Sequence, residues 1–142
     1  MLNPETFLAL ACIALMLLTF GVGLLMLRRR VQQMRAGRIR PQSLALSAAR
    51  AALLKDSRAS DNYNHLFELP VIFYALCTLA LALRWVPVWL PWCAWLFVAL
   101  RVAHSAVQVS HNRVMQRFRL FMAGFATLGV MCVGYAVALL MR

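Results

Sequence analysis

Twenty-two consecutive residues, Thr6 to Leu27, carry no charge, and three arginines, Arg28 to Arg30, close the run. About 20 apolar residues suffice for a helix to cross the hydrocarbon core of a bilayer. A secretory signal would place basic residues ahead of a shorter apolar stretch and small residues at a cleavage site. Here Glu5 is the only charged side chain ahead of the run, which therefore reads as a retained transmembrane helix. Three further apolar runs follow, Leu66–Leu83, Val88–Val109 and Leu120–Met141. The expected spans are about residues 6–27, 64–84, 88–110 and 119–141, within a single domain covering 1–142. The fold class is all-α, an integral membrane four-helix bundle. Residues Pro41 to Leu54 mix leucine and alanine with small polar residues, which suits a short interfacial helix or the start of the second span.

Composition agrees with this reading. Apolar residues make up 63% of the 142-residue chain and charged residues 13%, against about 45–50% and 25% for a soluble domain. The net charge is +11. In a soluble protein that excess would suggest nucleic acid. In so apolar a chain it reports membrane orientation or anionic headgroups, with membrane lipid and not nucleic acid as the partner. The first link holds nine basic residues: Arg28, Arg29, Arg30, Arg35, Arg38, Arg40, Arg50, Lys55 and Arg58. The third region holds Arg101, Arg113, Arg117 and Arg119, whereas the second link has only Arg84 and the C-terminus only Arg142. Thirteen against two places links one and three in the cytoplasm and both termini on the extracytoplasmic side.

Three ionisable side chains interrupt the apolar runs: Glu68, Arg101 and His104. Such groups are expensive in hydrocarbon, so they face a bundle interior or an aqueous cavity and tend to pair. Glu68 stands sixteen residues before Arg84, roughly 24 Å along a helix. Arg101 and His104 stand thirteen and sixteen residues after Val88, roughly 20 and 24 Å. In an antiparallel hairpin, acid and bases meet at one level near the cytoplasmic boundary. Arg101, His104, Ser105 and Gln108 follow the i, i+3, i+4, i+7 pattern of one helix stripe, and Asn64 stands one helical repeat before Glu68. The cluster has two readings, a structural ion pair that sets helix register and a ligand site. Pro70 loosens or kinks the helix just past Glu68. Cys12, Cys77, Cys93 and Cys132 fall one per span without metal-ligand spacing and read as core residues. The histidines match no metal motif, and no phosphate loop or hydrolase motif occurs. Trp85, Trp89, Trp92 and Trp95 read as an interfacial belt, and Gly124, Gly129 and Gly134 as close-approach positions on the fourth helix.

The stretches NYNHLFELPVIFYAL (Asn62–Leu76) and RVAHSAVQVSHNRVMQRF (Arg101–Phe118) resemble the MAPEG superfamily, membrane-associated proteins in eicosanoid and glutathione metabolism. The similarity is greatest to a bacterial branch with an N-L-F-E-x-P-like core, here Asn64, Leu66, Phe67, Glu68 and Pro70. It implies a homotrimer in the bacterial inner membrane, with glutathione as co-substrate in a cytoplasm-facing cleft between subunits. It further implies a transferase or peroxidase acting on lipophilic electrophiles. By this resemblance Asn64, Glu68, Arg101, His104 and Gln108 bind glutathione, and Arg117 stabilises its thiolate. A guanidinium beside sulfur lowers a thiol pKa and raises the reactive fraction. Gln108 and Phe121 stand where family members carry tyrosines, and Arg58 precedes the Asn/Glu motif at an unusual distance. The alternative is a non-catalytic scaffold or lipid-binding protein in which Glu68, Arg101 and His104 only hold the helices.

Overall fold

A polar cap starts the first helix. The Asn3 side chain accepts from the Thr6 amide at 2.7 Å, Pro4 occupies the first turn, and Glu5 faces the positive end of the helix dipole. In the computed structural model, which describes residues 3–142 apart from the Arg50 side chain, helix α1 runs from Pro4 to Ala36. The contribution of Arg50 to the basic tally thus lies outside the described residues. Its 33 residues amount to about 50 Å, well beyond a hydrocarbon core of about 30 Å. The helix outruns Leu27 because Arg28–Ala36 contains neither Gly nor Pro and is rich in strong helix formers. Arg28 to Arg30 and Arg35 therefore ride on its last turns.

A 3-10 turn, Pro41–Leu44, and a short helix α2, Ser47–Leu53, follow. α2 is separate from the second span, which consists of α3 (Arg58–His65) and α4 (Leu69–Ala82). The break at residues 66–68 has a local cause. Pro70 cannot donate to the Leu66 carbonyl and its ring crowds that carbonyl, so no unbroken helix passes through 66–70. The sequence reading allowed a kink just past Glu68; the chain instead stops and restarts, with Glu68 at the N-cap of α4 at ψ −96°. Helix α5 spans Trp89–Val109 and α6 spans Val114–Leu140. Arg84 and Asn112 take left-handed backbone geometry in the two tight links. Four segments, α1, α3 with α4, α5 and α6, are long and apolar enough to cross a membrane.

Successive spans alternate direction. At one end the Trp95 indole donates to the Phe7 carbonyl at 3.1 Å, and the Arg142 guanidinium lies over the Trp85 ring. At the other, basic end, Arg29 donates to the Val109 carbonyl at 2.9 Å. The core between them joins Leu8, Ala11 and Leu15 of α1, Phe73 and Cys77 of α4, Phe97 of α5 and Met131 of α6. Phe73 stacks on Phe97 with ring centroids 4.9 Å apart. The buried Tyr135 hydroxyl donates to the Trp85 carbonyl at 3.1 Å. Outward faces are as apolar as the core: Leu17, Phe20, Leu24, Val130 and Val133 are each more than three-fifths exposed. Acyl chains, not water, suit such a surface.

The glycines of α6 act one by one. A Cβ at Gly134 would meet the Trp89 ring at 3.1 Å, and one at Gly124 would meet the Arg101 guanidinium at 2.5 Å. Gly129 has nothing within 4 Å. Two of the three thus admit a large side chain from α5, rather than the backbone of a neighbouring helix. The tryptophans also differ from a uniform belt: Trp85 packs on Tyr135 and Trp95 on Phe7, while Trp92 is mostly exposed.

Candidate functional site

The polar stripe of α5 is buried along its whole length. Arg101, His104, Ser105 and Gln108 are between 0% and 4% exposed. They are inward because α5 packs extensively against α1, α3 and α6, so the face carrying 101, 104, 105 and 108 has no outward direction. From α3 comes Asn62, also 0% exposed, whose side-chain carbonyl accepts from the Ser105 hydroxyl at 3.2 Å. The sequence reading passed over Asn62 in favour of Asn64. Its signal was there: Ala59, Asn62 and Leu66 stand at i, i+3, i+7 and form the buried face of α3.

Arg101 is enclosed. Its guanidinium lies over the Phe97 and Phe121 rings at 5.4 and 5.6 Å and donates to the Leu120 carbonyl at 3.4 Å. Among the described residues its Nε has no protein partner, Gln108 has none at either amide atom, and the Asn62 amide nitrogen is likewise alone. The His104 ring sits between His65 and Phe121, at centroid distances of 6.1 and 6.4 Å.

Glu68 departs from the expected burial. Its side chain is 53% exposed and pairs with His65 Nδ1 at 3.0 Å, not with Arg101 or His104. Glu68 adjoins the bases only through His65, whose ring lies 6.1 Å from that of His104, and among the described residues it makes no direct ion pair with either Arg101 or His104. The cause is the break at 66–68, which turns the carboxylate out of the bundle. Asn64 is exposed on α3, before the interruption, as Glu68 is after it. Arg117, in the first turn of α6, is half-buried. Its Nη1 donates to the Asn112 side chain at 2.6 Å and its Nε has no partner. The structure therefore brings together Arg101, His104 and Gln108 with Asn62, keeps Glu68 beside His65 at the rim, and leaves Asn64 outside.

A polar clamp closes the basic end. Asp56 receives Arg58 through both carboxylate oxygens, at 2.8 and 3.1 Å, and Arg29 at 3.5 Å. Arg29 and Arg58 also donate to the Val109 and Ser110 carbonyls, the negative end of α5. The Arg58 hydrogen bonds hold the Asp56 carboxyl below the usual carboxylate range, against the opposing effect of its partial burial. Gln33 adds two hydrogen bonds to the Asp56 backbone. The clamp ties α1, α3 and α5 beneath the polar stripe.

Among the described residues no group of three or more His, Cys, Asp or Glu side chains could hold a metal ion. What the arrangement offers instead is hydrogen bonding: unused donors at Arg101, Asn62 and Gln108, an unused acceptor at Gln108, and an exposed carboxylate at the rim. Comparison with known proteins finds no curated protein and no solved structure that matches. The model of the MAPEG family matches residues 8–137, from the second turn of α1 to the last turn of α6. With nearly the whole four-span chain inside that match, this multi-pass membrane protein belongs to the MAPEG family.

Proposed function

We propose that this protein binds glutathione and uses it as a transferase or peroxidase on lipophilic electrophiles, as a homotrimer in the bacterial inner membrane with its basic links in the cytoplasm. The observation that carries the reading is the row of buried polar atoms without protein partners on Asn62, Arg101 and Gln108. A buried polar group left unmatched costs roughly 1–3 kcal/mol, and a native fold keeps few of them. Glutathione is a peptide with an ammonium, two carboxylates and two amides, and it matches this mixture of donors and acceptors.

In this reading Glu68 takes the ammonium, since its carboxylate is exposed and, among the described residues, held only by His65. Gln108 and Asn62 serve the peptide groups. Arg101 supplies positive potential and His104 polar lining, and Arg117 faces the sulfur. A guanidinium near the thiol favours the thiolate, which is the nucleophile. The thiolate carbon–sulfur bond then forms as the electrophile's leaving group departs, and the thiol proton goes to solvent. Phe121 and Gln108 carry no phenolic hydroxyl, so sulfur activation rests on Arg117 alone. An electrophile dissolved in the bilayer reaches the bundle from its apolar flank. Calorimetry of detergent-purified protein with glutathione, followed by conjugation to chlorodinitrobenzene, tests the reading. Saturable binding that is lost in Glu68→Gln and turnover that is lost in Arg117→Ala are expected. Trimeric protein showing neither heat nor turnover would overturn it.

One observation favours the non-catalytic scaffold. Arg101 is 2% exposed, wrapped by two aromatic rings and seated over Gly124, as befits a strut between α5 and α6. If Glu68→Gln combined with Arg101→Met leaves a stable trimer with unchanged cellular function, the cluster is structural.

A further inference from the structure

Asn112 has two roles in the short link between α5 and α6. Its backbone is left-handed, with φ at 50°, a conformation that Asn, Asp and Gly tolerate and other residues rarely adopt. From there its amide donates to the Val107 carbonyl at 2.8 Å and closes the last turn of α5. Its side chain crosses to α6, where the carbonyl oxygen accepts from Arg117 Nη1 at 2.6 Å. One residue thus ties the end of one helix to a guanidinium on the next.

The guanidinium needs such an anchor. It stands in the first turn of α6, whose start carries no side-chain cap and whose dipole opposes a cation there. Arg113, one turn before it, adds like charge. Among the described residues no carboxylate offsets this: Asp56 is taken by Arg58 and Arg29, Glu68 by His65 and Asp61 by the Ser57 hydroxyl, and Glu5 stands at the far end of the bundle. The neighbouring histidines are engaged as well, His111 between Ser110 and Gln116 and His104 beside Phe121. The partner of Arg117 is instead a neutral amide, which fixes direction without cancelling charge. Because Nη1 is the atom held, the edge bearing Nε and Nη2, with its two parallel donors, is left for a ligand. Among the described residues Nε has no partner.

We propose that Asn112 is a positioning residue for the sulfur chemistry: it aims the Nε–Nη2 edge of Arg117 at the glutathione sulfur and, being uncharged, leaves the whole charge of the guanidinium to the thiolate. The inference rests on the role proposed above for Arg117 and adds what holds that group in place. Glycine at 112 would keep the left-handed turn and lose the anchor. Aspartate would keep turn and anchor but set a negative charge against the guanidinium. Only asparagine supplies the turn, the anchor and the neutrality together.

The test is the pair Asn112→Gly and Asn112→Asp in the detergent-purified full chain. Two readouts are followed against pH, the ultraviolet absorption of bound glutathione thiolate and kcat for conjugation of chlorodinitrobenzene. In the native protein the bound thiol should titrate below the ordinary thiol value of about 8.5. In Asn112→Asp it should titrate about one pH unit higher than in the native protein, leaving about one-tenth of the thiolate at neutral pH. A more basic thiolate is the better nucleophile, with a Brønsted coefficient of about 0.4–0.5, so kcat at neutral pH should fall about threefold to fourfold. Above the raised titration point kcat should meet or exceed the native value. Asn112→Gly should lower kcat at neutral pH with the KM for glutathione little changed, because Glu68, Asn62 and Gln108 are untouched. A purely structural asparagine predicts another order: aspartate, which keeps turn and hydrogen bond, behaves as native, and only glycine lowers the unfolding midpoint. Native pH profiles in Asn112→Asp, with turnover lost in Arg117→Ala, would overturn the positioning role and leave the proposed function standing. Native protein that binds no glutathione would overturn both. Should Asn112→Gly fail to fold, the aspartate variant decides alone.

Discussion

Replacing Gln108 by methionine keeps the length and unbranched shape of the side chain and removes both amide atoms. Neither atom has a protein partner among the described residues, and the residue is 0% exposed. Each such group costs roughly 1–3 kcal/mol, the two costs overlap within one amide, and a volume-conserving core swap loses under about 1.5 kcal/mol. The net expectation for glutathione-free protein is a gain of about 1–2 kcal/mol. Glutathione should reverse the advantage. A ligand at one hundred times its Kd stabilises the folded state by about 2.7 kcal/mol. If losing the amide weakens binding tenfold, the same concentration stabilises the variant by only about 1.4 kcal/mol. Thermal unfolding in detergent, followed by tryptophan fluorescence with and without glutathione, reads both quantities. The four tryptophans lie at residues 85–95, on α5 and the link before it, at the end away from the stripe, so they report unfolding and not ligand contact. The reasoning fails if Gln108→Met lowers the midpoint without glutathione, because the amide would then be satisfied within the fold. It fails also if the glutathione-dependent increment is unchanged.

Acid should loosen the clamp before the core. Asp56 has a carboxyl held below its ordinary range, chiefly by Arg58. Its contribution is complete above the ordinary value near 4 and fades as pH falls through the lower folded-state value. The midpoint of the native protein should therefore drop more steeply below about pH 4 than that of Asp56→Asn, and parallel curves would refute the assignment. On α6, Gly124→Leu drives a side chain into the Arg101 guanidinium and should cost about 1–3 kcal/mol. Gly129→Ala meets nothing and should add up to about 1 kcal/mol of helix propensity; the two unfolding midpoints check this pair. Tyr135→Phe strands the Trp85 carbonyl and should lower stability by about 1 kcal/mol, read by the same melt.

Where one helix alone decides the outcome, the residues are legible in the sequence. The stripe 101, 104, 105, 108 needs only the 3.6-residue repeat within α5, and all four side chains point inward. Relations between elements are another matter. Extending the repeat from Asn64 to Glu68 assumes an unbroken helix, and Pro70 ends that helix at His65; Asn62, in phase with Ala59 and Leu66, takes the inward position. The clamp joins Arg29 to Asp56 across 27 positions and Arg58 to Ser110 across 52, separations that no local pattern encodes. The same break explains the charge arrangement of the site. Burying Glu68 against Arg101 would strip water from two ions at once, a penalty that the attraction between them does not reliably repay. The chain instead gives the guanidinium two aromatic faces and a carbonyl, and turns the carboxylate to the rim beside His65. An acid so placed can still take a cation from outside the bundle. A fully buried ion pair could not, and for that reason the position of Glu68 favours a binding role over that of a register lock.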